Sequence, residues 1–197
     1  MREIRSEYLS QKLYIAMSII ILSLCSLSIP LIVKSYRDYN KTNQALTEIQ
    51  ALQAVADLAN KISRERAPAN KLMSSNQQDF AKHVLELKLY RLTVDEQIQK
   101  TLAVLKHSNL PNLDLSLFDR LDEALTQGRQ QVDAYAALPR EQRNAETMDQ
   151  AILKMFNAWD RSHDVLKDVI AVSEGKDTAV SNFYVQILLL ADLRDQA

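Results

Sequence analysis

An uncharged apolar run near the amino terminus constrains this chain more than any other feature. It extends for 21 residues, from Leu13 to Val33 (LYIAMSIIILSLCSLSIPLIV). A bilayer core of about 30 Å needs roughly 20 helical residues at about 1.5 Å each, so the run has the length of a transmembrane helix. A cleaved signal peptide and a buried core helix fit less well. The apolar region of a signal peptide usually has about 7 to 15 residues, and no small-x-small cleavage pattern follows the run.

The composition excludes several classes of protein. The chain has 2 Gly and 1 Cys in 197 residues, with 24 Lys+Arg against 25 Asp+Glu. Glycine-rich phosphate loops and Rossmann fingerprints need more glycine, and a disulfide framework or cysteine-ligated metal centre needs more cysteine. The balanced charge gives no reason to expect a nucleic-acid partner. No serine, cysteine or paired-carboxylate arrangement suggests catalysis, so we expect no enzyme activity and no cofactor.

Apolar residues recur every three or four positions along the rest of the chain, which is the spacing of one helix face. The spacing predicts four stripes, over Leu46–Ile62, Leu72–Leu105, about Leu115–Leu138 and about Ala145–Ser173. Leu46 opens the first stripe, and the second includes Val84. We therefore predict an all-α fold with one amino-terminal transmembrane helix, an antiparallel four-helix bundle and a truncated fifth helix.

The predicted domain organisation follows from these segments. Residues 1–12 form a cytoplasmic tail, 13–33 the transmembrane helix, 34–175 the periplasmic bundle and 176–197 the start of a further helix. Three basic residues lie close to the run on each side, so the positive-inside rule does not decide the orientation. The short tail favours an amino terminus in the cytoplasm, because long following domains are exported largely regardless of charge. We expect a single-pass protein of the bacterial inner membrane with most of its chain in the periplasm.

The segment SRERAPAN, residues 63–70, places three charged residues before a proline, where the first stripe passes to the second. In the functional interpretation, the guanidinium groups of Arg64 and Arg66 bind a small anion, such as a carboxylate or nitrate, beside the amides of a helix started by proline. Asn70 belongs to the same candidate ligand site.

The structural interpretation of this segment is a corner between two helices. Pro68 then occupies the first turn of the second helix, and Ser63 or Asn70 caps backbone groups. Glu65 pairs with an arginine across the bundle. We favour this interpretation, because ion pairs are common in helical bundles and most are energetically modest.

Two motifs resemble parts of a known family. SRERAPAN is similar to the S-x-E-R-G-P-x-N pattern that ends the first periplasmic sensor helix of bacterial membrane diguanylate cyclases, with Ala67 in place of the more frequent Gly. It also resembles the E-R-G signature of nitrate- and nitrite-sensing helical domains. The closing residues LRDQA are similar to an L-R-D-x-A-G stretch that opens a further sensor helix. The resemblance implies a sensor followed by a cytoplasmic cyclase, but this sequence contains no GGDEF segment.

Aromatic and acidic residues supply weaker candidates. Tyr135 and Trp159 are candidate ligand contacts in a cavity between the third and fourth helices, although aromatic residues on an apolar stripe usually belong to the core. Asp160, His163 and Asp164 have a spacing that allows one metal ion to be held. Such residues are more often a solvated helix face, so no metal site is predicted.

The function expected from the sequence is that of the membrane-anchored periplasmic sensor portion of a bacterial signalling receptor. The expected partners are the lipid bilayer, a small anionic ligand or a periplasmic protein, and a second copy in a homodimer. A membrane-tethered helical scaffold without ligand sensing is the first alternative. A chemoreceptor-type input domain is the second.

Overall fold

The computed structural model describes the backbone of residues 2–108 and 110–173, and the side chains of residues 12–108 and 110–173. These residues form four helices, with no strand among them, which confirms the predicted all-α class. The helices are α1 (Arg2–Ser74), α2 (Phe80–Ser108), α3 (Ser116–Ala137) and α4 (Ala145–Ser173), with a short 3-10 turn at Arg140–Gln142. The predicted fifth helix over residues 176–197 lies outside the described residues.

The chain divides into two compact units between Ala45 and Leu46. The first unit contains the apolar run, where the large apolar side chains from Leu13 to Val33 are all exposed. Its most apolar window has a mean hydropathy of 2.4 and none of it is buried. By length and composition, this part of α1 could span a membrane.

The second unit has a core to which all four helices contribute. Its largest fully buried side chains include Leu52, Leu58, Ile62 and Met73 of α1, Leu87, Val94 and Leu105 of α2, Leu121 and Leu125 of α3, and Leu166 of α4. Two stripe residues were assigned to the wrong face, since Leu46 is 52% exposed and Val84 is 40% exposed.

Two hydrogen bonds between α1 and α2 show which parts of the two helices lie side by side. The Thr101 hydroxyl donates to the Ala54 carbonyl oxygen at 3.0 Å near one end. The Lys71 ammonium donates to the Glu86 carboxylate at 3.0 Å near the other end. This hydrogen bond, followed by charge attraction, holds the pKa of Glu86 below its usual value. Positions further along α1 therefore meet positions earlier in α2.

The predicted corner at Pro68 is wrong, because α1 continues through this proline to Ser74. Pro68 is buried, and its missing N–H leaves the Arg64 carbonyl without its usual helical donor. The chain instead turns after Ser74. The Ser75 hydroxyl donates to the Leu72 carbonyl oxygen at 2.7 Å, and the Asn76 side-chain oxygen accepts from the Asp79 N–H at 3.1 Å.

Both ends of α3 and the start of α4 lie close to their predicted positions. Leu138 is extended and precedes Pro139, a placement that stops α3 at Ala137. The Asn144 side-chain oxygen accepts from the Thr147 N–H at 2.9 Å and caps the start of α4. Asn112, which follows α2, has a φ of 62°, a conformation that asparagine tolerates better than most residues.

Gly128 marks a close approach between α3 and α4. A methyl group placed there would lie 2.9 Å from the Met155 sulfur and 3.2 Å from the Lys154 carbonyl oxygen. A side chain here would require Met155 to move and α4 to shift by a few tenths of an ångström, so glycine fits this position because of packing and not because of backbone conformation.

Candidate functional site

Two arginine–aspartate pairs join α2 and α3 in a reciprocal arrangement. Each helix carries an arginine followed four residues later by an aspartate: Arg91 and Asp95 on α2, and Arg129 and Asp133 on α3. The Arg91 guanidinium donates two hydrogen bonds of 2.8 Å to Asp133. Arg129 donates to Asp95 at 2.7 Å. Each arginine also lies 3.4 Å from the main-chain oxygen of the other, to which it donates.

Glu65 of α1 connects to both pairs. Its side chain is completely buried, and it accepts two hydrogen bonds of 2.8 Å from Nε and Nη2 of Arg129. Nε of Arg91 lies 3.5 Å from the same carboxylate. We call these five residues, Glu65, Arg91, Asp95, Arg129 and Asp133, the Glu65 network. It ties α1, α2 and α3 together at one level.

Within the Glu65 network, exposure to solvent increases from Glu65 to the two arginines and then to the two aspartates. Glu65 has no exposure, the two arginine side chains are 17% and 20% exposed, and the two aspartates are about half exposed. Burial disfavours the charged form of Arg129. Hydrogen bonds and charge attraction from Glu65, and then from Asp95, outweigh this effect and raise the Arg129 pKa above its ordinary value. Arg129 therefore remains charged under all ordinary conditions.

The arginine predicted to pair with Glu65 is Arg129 of α3, and Arg91 of α2 lies near the same carboxylate. Arg64 is exposed on the neighbouring position of α1, whereas the Arg66 guanidinium lies 3.6 Å from the centre of the Phe156 ring of α4. The two candidate anion ligands thus have different surroundings. Because α1 is continuous here, the N–H groups around Pro68 are not those of a helix start, and the proposed helix N-terminus at this site is absent.

The remaining residues of the segment lie on different faces of α1. Ser63 is half-buried and Asn70 is exposed. Neither occupies a capping position, because both lie inside the helix. The Asn70 carbonyl oxygen accepts a hydrogen bond of 2.8 Å from the Ser74 hydroxyl.

Tyr135 and Trp159 have different surroundings among the described residues. Tyr135 is buried in a cluster that contains Met73, Leu87 and Met155. Trp159 contacts His163, with ring centres 4.1 Å apart and ring planes tilted by 59°, and it is not part of that cluster. A groove of about 360 Å³ lies along α3 and α4 but has other lining residues, namely Gln131, Gln150, Leu153, Lys154 and Asn157.

Sequence reasoning missed the other four members of the Glu65 network and one further arginine, Arg143. The repeated R-x-x-x-D spacing relates these four residues to one another but does not indicate that the two arginines meet Glu65. Arg143 donates to the Ala136 carbonyl oxygen at 2.7 Å and to the Leu138 carbonyl oxygen at 3.0 Å. It also reaches the Met73 carbonyl oxygen at 3.4 Å, so one side chain satisfies carbonyl groups at the ends of both α1 and α3.

Comparison of the chain with models of known protein families, with curated proteins and with solved structures found no match. Arguments about function therefore depend on the residues and their geometry.

Proposed function

We propose that this chain is the membrane-anchored input region of a bacterial signalling receptor. In this proposal, Leu13–Val33 crosses the inner membrane. The helices from Leu46 onward form an antiparallel four-helix bundle in the periplasm. The observation that carries the proposal is that α1 contains both an exposed apolar run of transmembrane length and a buried stretch that contributes to the core.

This arrangement supplies a route for a signal. A ligand or partner that prefers one packing of the helices over another shifts the equilibrium by its difference in affinity for the two states. A changed packing displaces the part of α1 between Ala51 and Met73, which is buried against the other helices. The same helix includes the apolar run, so the displacement would be passed along α1 towards the membrane.

The Glu65 network supports discrete packing states. A buried carboxylate without a partner is strongly destabilising, so each stable arrangement must keep an arginine beside Glu65. Arg129 holds it with two hydrogen bonds, and Arg91 lies near the same oxygen. Packing arrangements that leave Glu65 without an arginine are excluded, so the helices can pack in only a few ways.

Reporter fusions test the topology. We expect fusions after Lys41 and after Gly175 to give high alkaline phosphatase activity and no fluorescence from a reporter that folds only in the cytoplasm. A fusion before Leu13 should show the opposite pattern. Cytoplasmic-type signals at both downstream positions would contradict the proposed orientation. Release of the chain from membranes by a carbonate wash would contradict the proposed membrane anchor.

A thermal-shift screen tests anion sensing by Arg64 and Arg66. The full chain in detergent is heated with nitrate, nitrite, formate or acetate, and unfolding is followed by the fluorescence of Trp159, the only tryptophan. An anion held by Arg64 and Arg66 would raise the melting temperature. The R64Q/R66Q double variant should lose this shift and remain folded, because Arg91 and Arg129 still pair with Glu65; loss of the Arg66–Phe156 contact should lower its melting temperature slightly.

The control for the anion screen is Arg140→Gln, which removes an exposed positive charge from the turn before α4. It should retain the full anion response. Equal loss of the response in this control would mean that the anions act through general charge screening and not at the 63–70 segment. Absence of any shift would exclude these anions as ligands.

A further inference from the structure

The groove between α3 and α4 has walls from both helices. Gln150, Leu153, Lys154 and Asn157 of α4 have the spacing i, i+3, i+4 and i+7, so they follow one face of the helix over about 10.5 Å. Gln131 of α3 forms the opposite wall. We call the space between these five residues the α3–α4 groove. Its volume of about 360 Å³ lies within the range of small-ligand sites, roughly 300 to 1,000 Å³.

The backbones of α3 and α4 come close together beside the groove. Gly128 lies three residues before Gln131, and a methyl group at Gly128 would be 3.2 Å from the Lys154 carbonyl oxygen. The side chains of Gln131 and Lys154 therefore start near the line along which the two helices meet. A small molecule in the groove would contact both helices at once.

The polar side chains of the α3–α4 groove have unused hydrogen-bonding capacity. Within the part of the chain that the structure describes, the side chains of Gln131, Gln150, Lys154 and Asn157 take part in no hydrogen bond or ion pair. Each of the three carboxamides offers an acceptor oxygen and two N–H donors. A hydroxyl group both donates and accepts, so it is complementary to a carboxamide.

The other two features of the groove are one positive charge and one apolar side chain. Among the described residues that line the groove, Lys154 is the only charged one. A carboxylate is complementary to its ammonium group, whereas an ammonium group of a ligand would find no acidic side chain there. Leu153 is 66% exposed and offers apolar surface to the C–H groups of a ligand. The lining therefore fits a molecule with hydroxyl groups and a carboxylate.

We propose that the α3–α4 groove binds a hydroxylated carboxylate, such as a sugar acid. Its carboxylate pairs with Lys154, its hydroxyl groups bond to the carboxamides of both walls, and its C–H groups cover Leu153. Because Gln131 belongs to α3 and the other lining residues belong to α4, the ligand bridges the two helices. This site goes beyond the proposed function, since its ligand class and its position both differ from those considered for the 63–70 segment.

Isothermal titration calorimetry of the full chain in detergent tests the ligand class. The probes are the sugar acids D-gluconate and D-glucuronate. Sorbitol has hydroxyl groups without a carboxylate, and hexanoate has a carboxylate without hydroxyl groups. We expect saturable binding of at least one sugar acid and at least about tenfold weaker binding of both matched compounds. No saturable binding of either sugar acid, or equal binding of sorbitol or hexanoate, would overturn the proposal.

Variants of the two walls test the position of the site. Lys154→Gln removes the positive charge but keeps a polar side chain, and it should weaken sugar-acid binding at least about tenfold, because a hydrogen bond between charged groups is lost. Gln131→Ala, on the α3 wall, should weaken binding by roughly two- to tenfold. Trp159 fluorescence melting verifies that both variants fold. Unchanged binding in either folded variant would contradict a ligand that bridges the two helices.

The matched control is Lys167→Gln, an exposed lysine of α4 that does not line the groove. It should bind the sugar acid as the wild type does, and an equal loss in this control would show general charge attraction in place of a site. The R64Q/R66Q variant should also bind normally. Loss of binding in R64Q/R66Q but not in Lys154→Gln would place the ligand at the 63–70 segment and contradict the proposal. Reporter fusions test the topology separately, so failure of groove binding and failure of the membrane anchor are distinct results.

Discussion

The Arg129→Met variant is expected to lose about 3 to 5 kcal/mol of unfolding free energy. The substitution keeps an apolar stem of similar length but removes both 2.8 Å hydrogen bonds to Glu65, which has no contact with water. Arg91 replaces them only in part, because its Nε lies 3.5 Å from the carboxylate. Urea unfolding of the full chain in detergent, followed by Trp159 fluorescence, measures the loss.

Removing Glu65 instead should be less harmful. In Glu65→Met, Arg129 retains Asp95 and Arg91 retains Asp133, so no buried charge is left without a partner. The double variant Glu65→Met/Arg129→Met should accordingly be more stable than Arg129→Met alone. Arg64→Met, at the exposed neighbouring position of α1, is the control and should change stability by no more than about 0.5 kcal/mol. Equal losses in Arg64→Met and Arg129→Met would show that Glu65 does not depend on Arg129.

Truncation of core leucines should have the second large effect. Leu121→Ala and Leu87→Ala are expected to lower the unfolding free energy by about 2 to 5 kcal/mol each, because each removes a side chain that is at most 2% exposed and leaves a cavity. Gln130→Ala and Leu153→Ala, at exposed positions, should stay within about 0.5 kcal/mol of wild type. Similar losses at all four sites would mean that the buried faces of α2 and α3 are assigned incorrectly.

The sequence was sufficient to predict the limits of α3 and the start of α4 because local chemistry sets them. Pro139 forces the preceding residue into an extended conformation, and the Asn144 side chain satisfies the first free N–H groups of α4. These effects act within a few residues, so they are readable without knowledge of the packing. The predicted range of about 115–138 agrees closely with α3, and the predicted start at Ala145 agrees with the start of α4.

The junction between α1 and α2 was predicted incorrectly because tertiary packing outweighed a local signal. Proline favours the first turn of a helix, so Pro68 was assigned to a helix start. Burial of Pro68 and its neighbour Ala69 keeps this part of α1 packed in the core despite the lost hydrogen bond. The polar run Ser74-Ser75-Asn76, whose side chains bond to nearby backbone groups, was the better indicator of the turn.

The partners of Glu65 could not be assigned from the sequence. Arg129 lies 64 positions further along the chain, and which helix faces meet is determined by the packing of the whole second unit. Arg64 and Arg66 adjoin Glu65 in the sequence, but adjacent residues on a helix point in different directions. Helical periodicity therefore gives the buried position of an acidic residue more readily than the identity of its partner.

The reciprocity of the Arg91–Asp133 and Arg129–Asp95 pairs restricts how α2 and α3 can move. Sliding one helix past the other by a single turn, about 5.4 Å, would separate both arginines from both aspartates at the same time. Because both pairs are lost together, they favour a single register of the α2–α3 hairpin, with a modest contribution from each pair since both aspartates are about half exposed. Motion that retains these pairs moves the hairpin as one body, and Glu65, held by Arg129, is the point on α1 about which it would pivot.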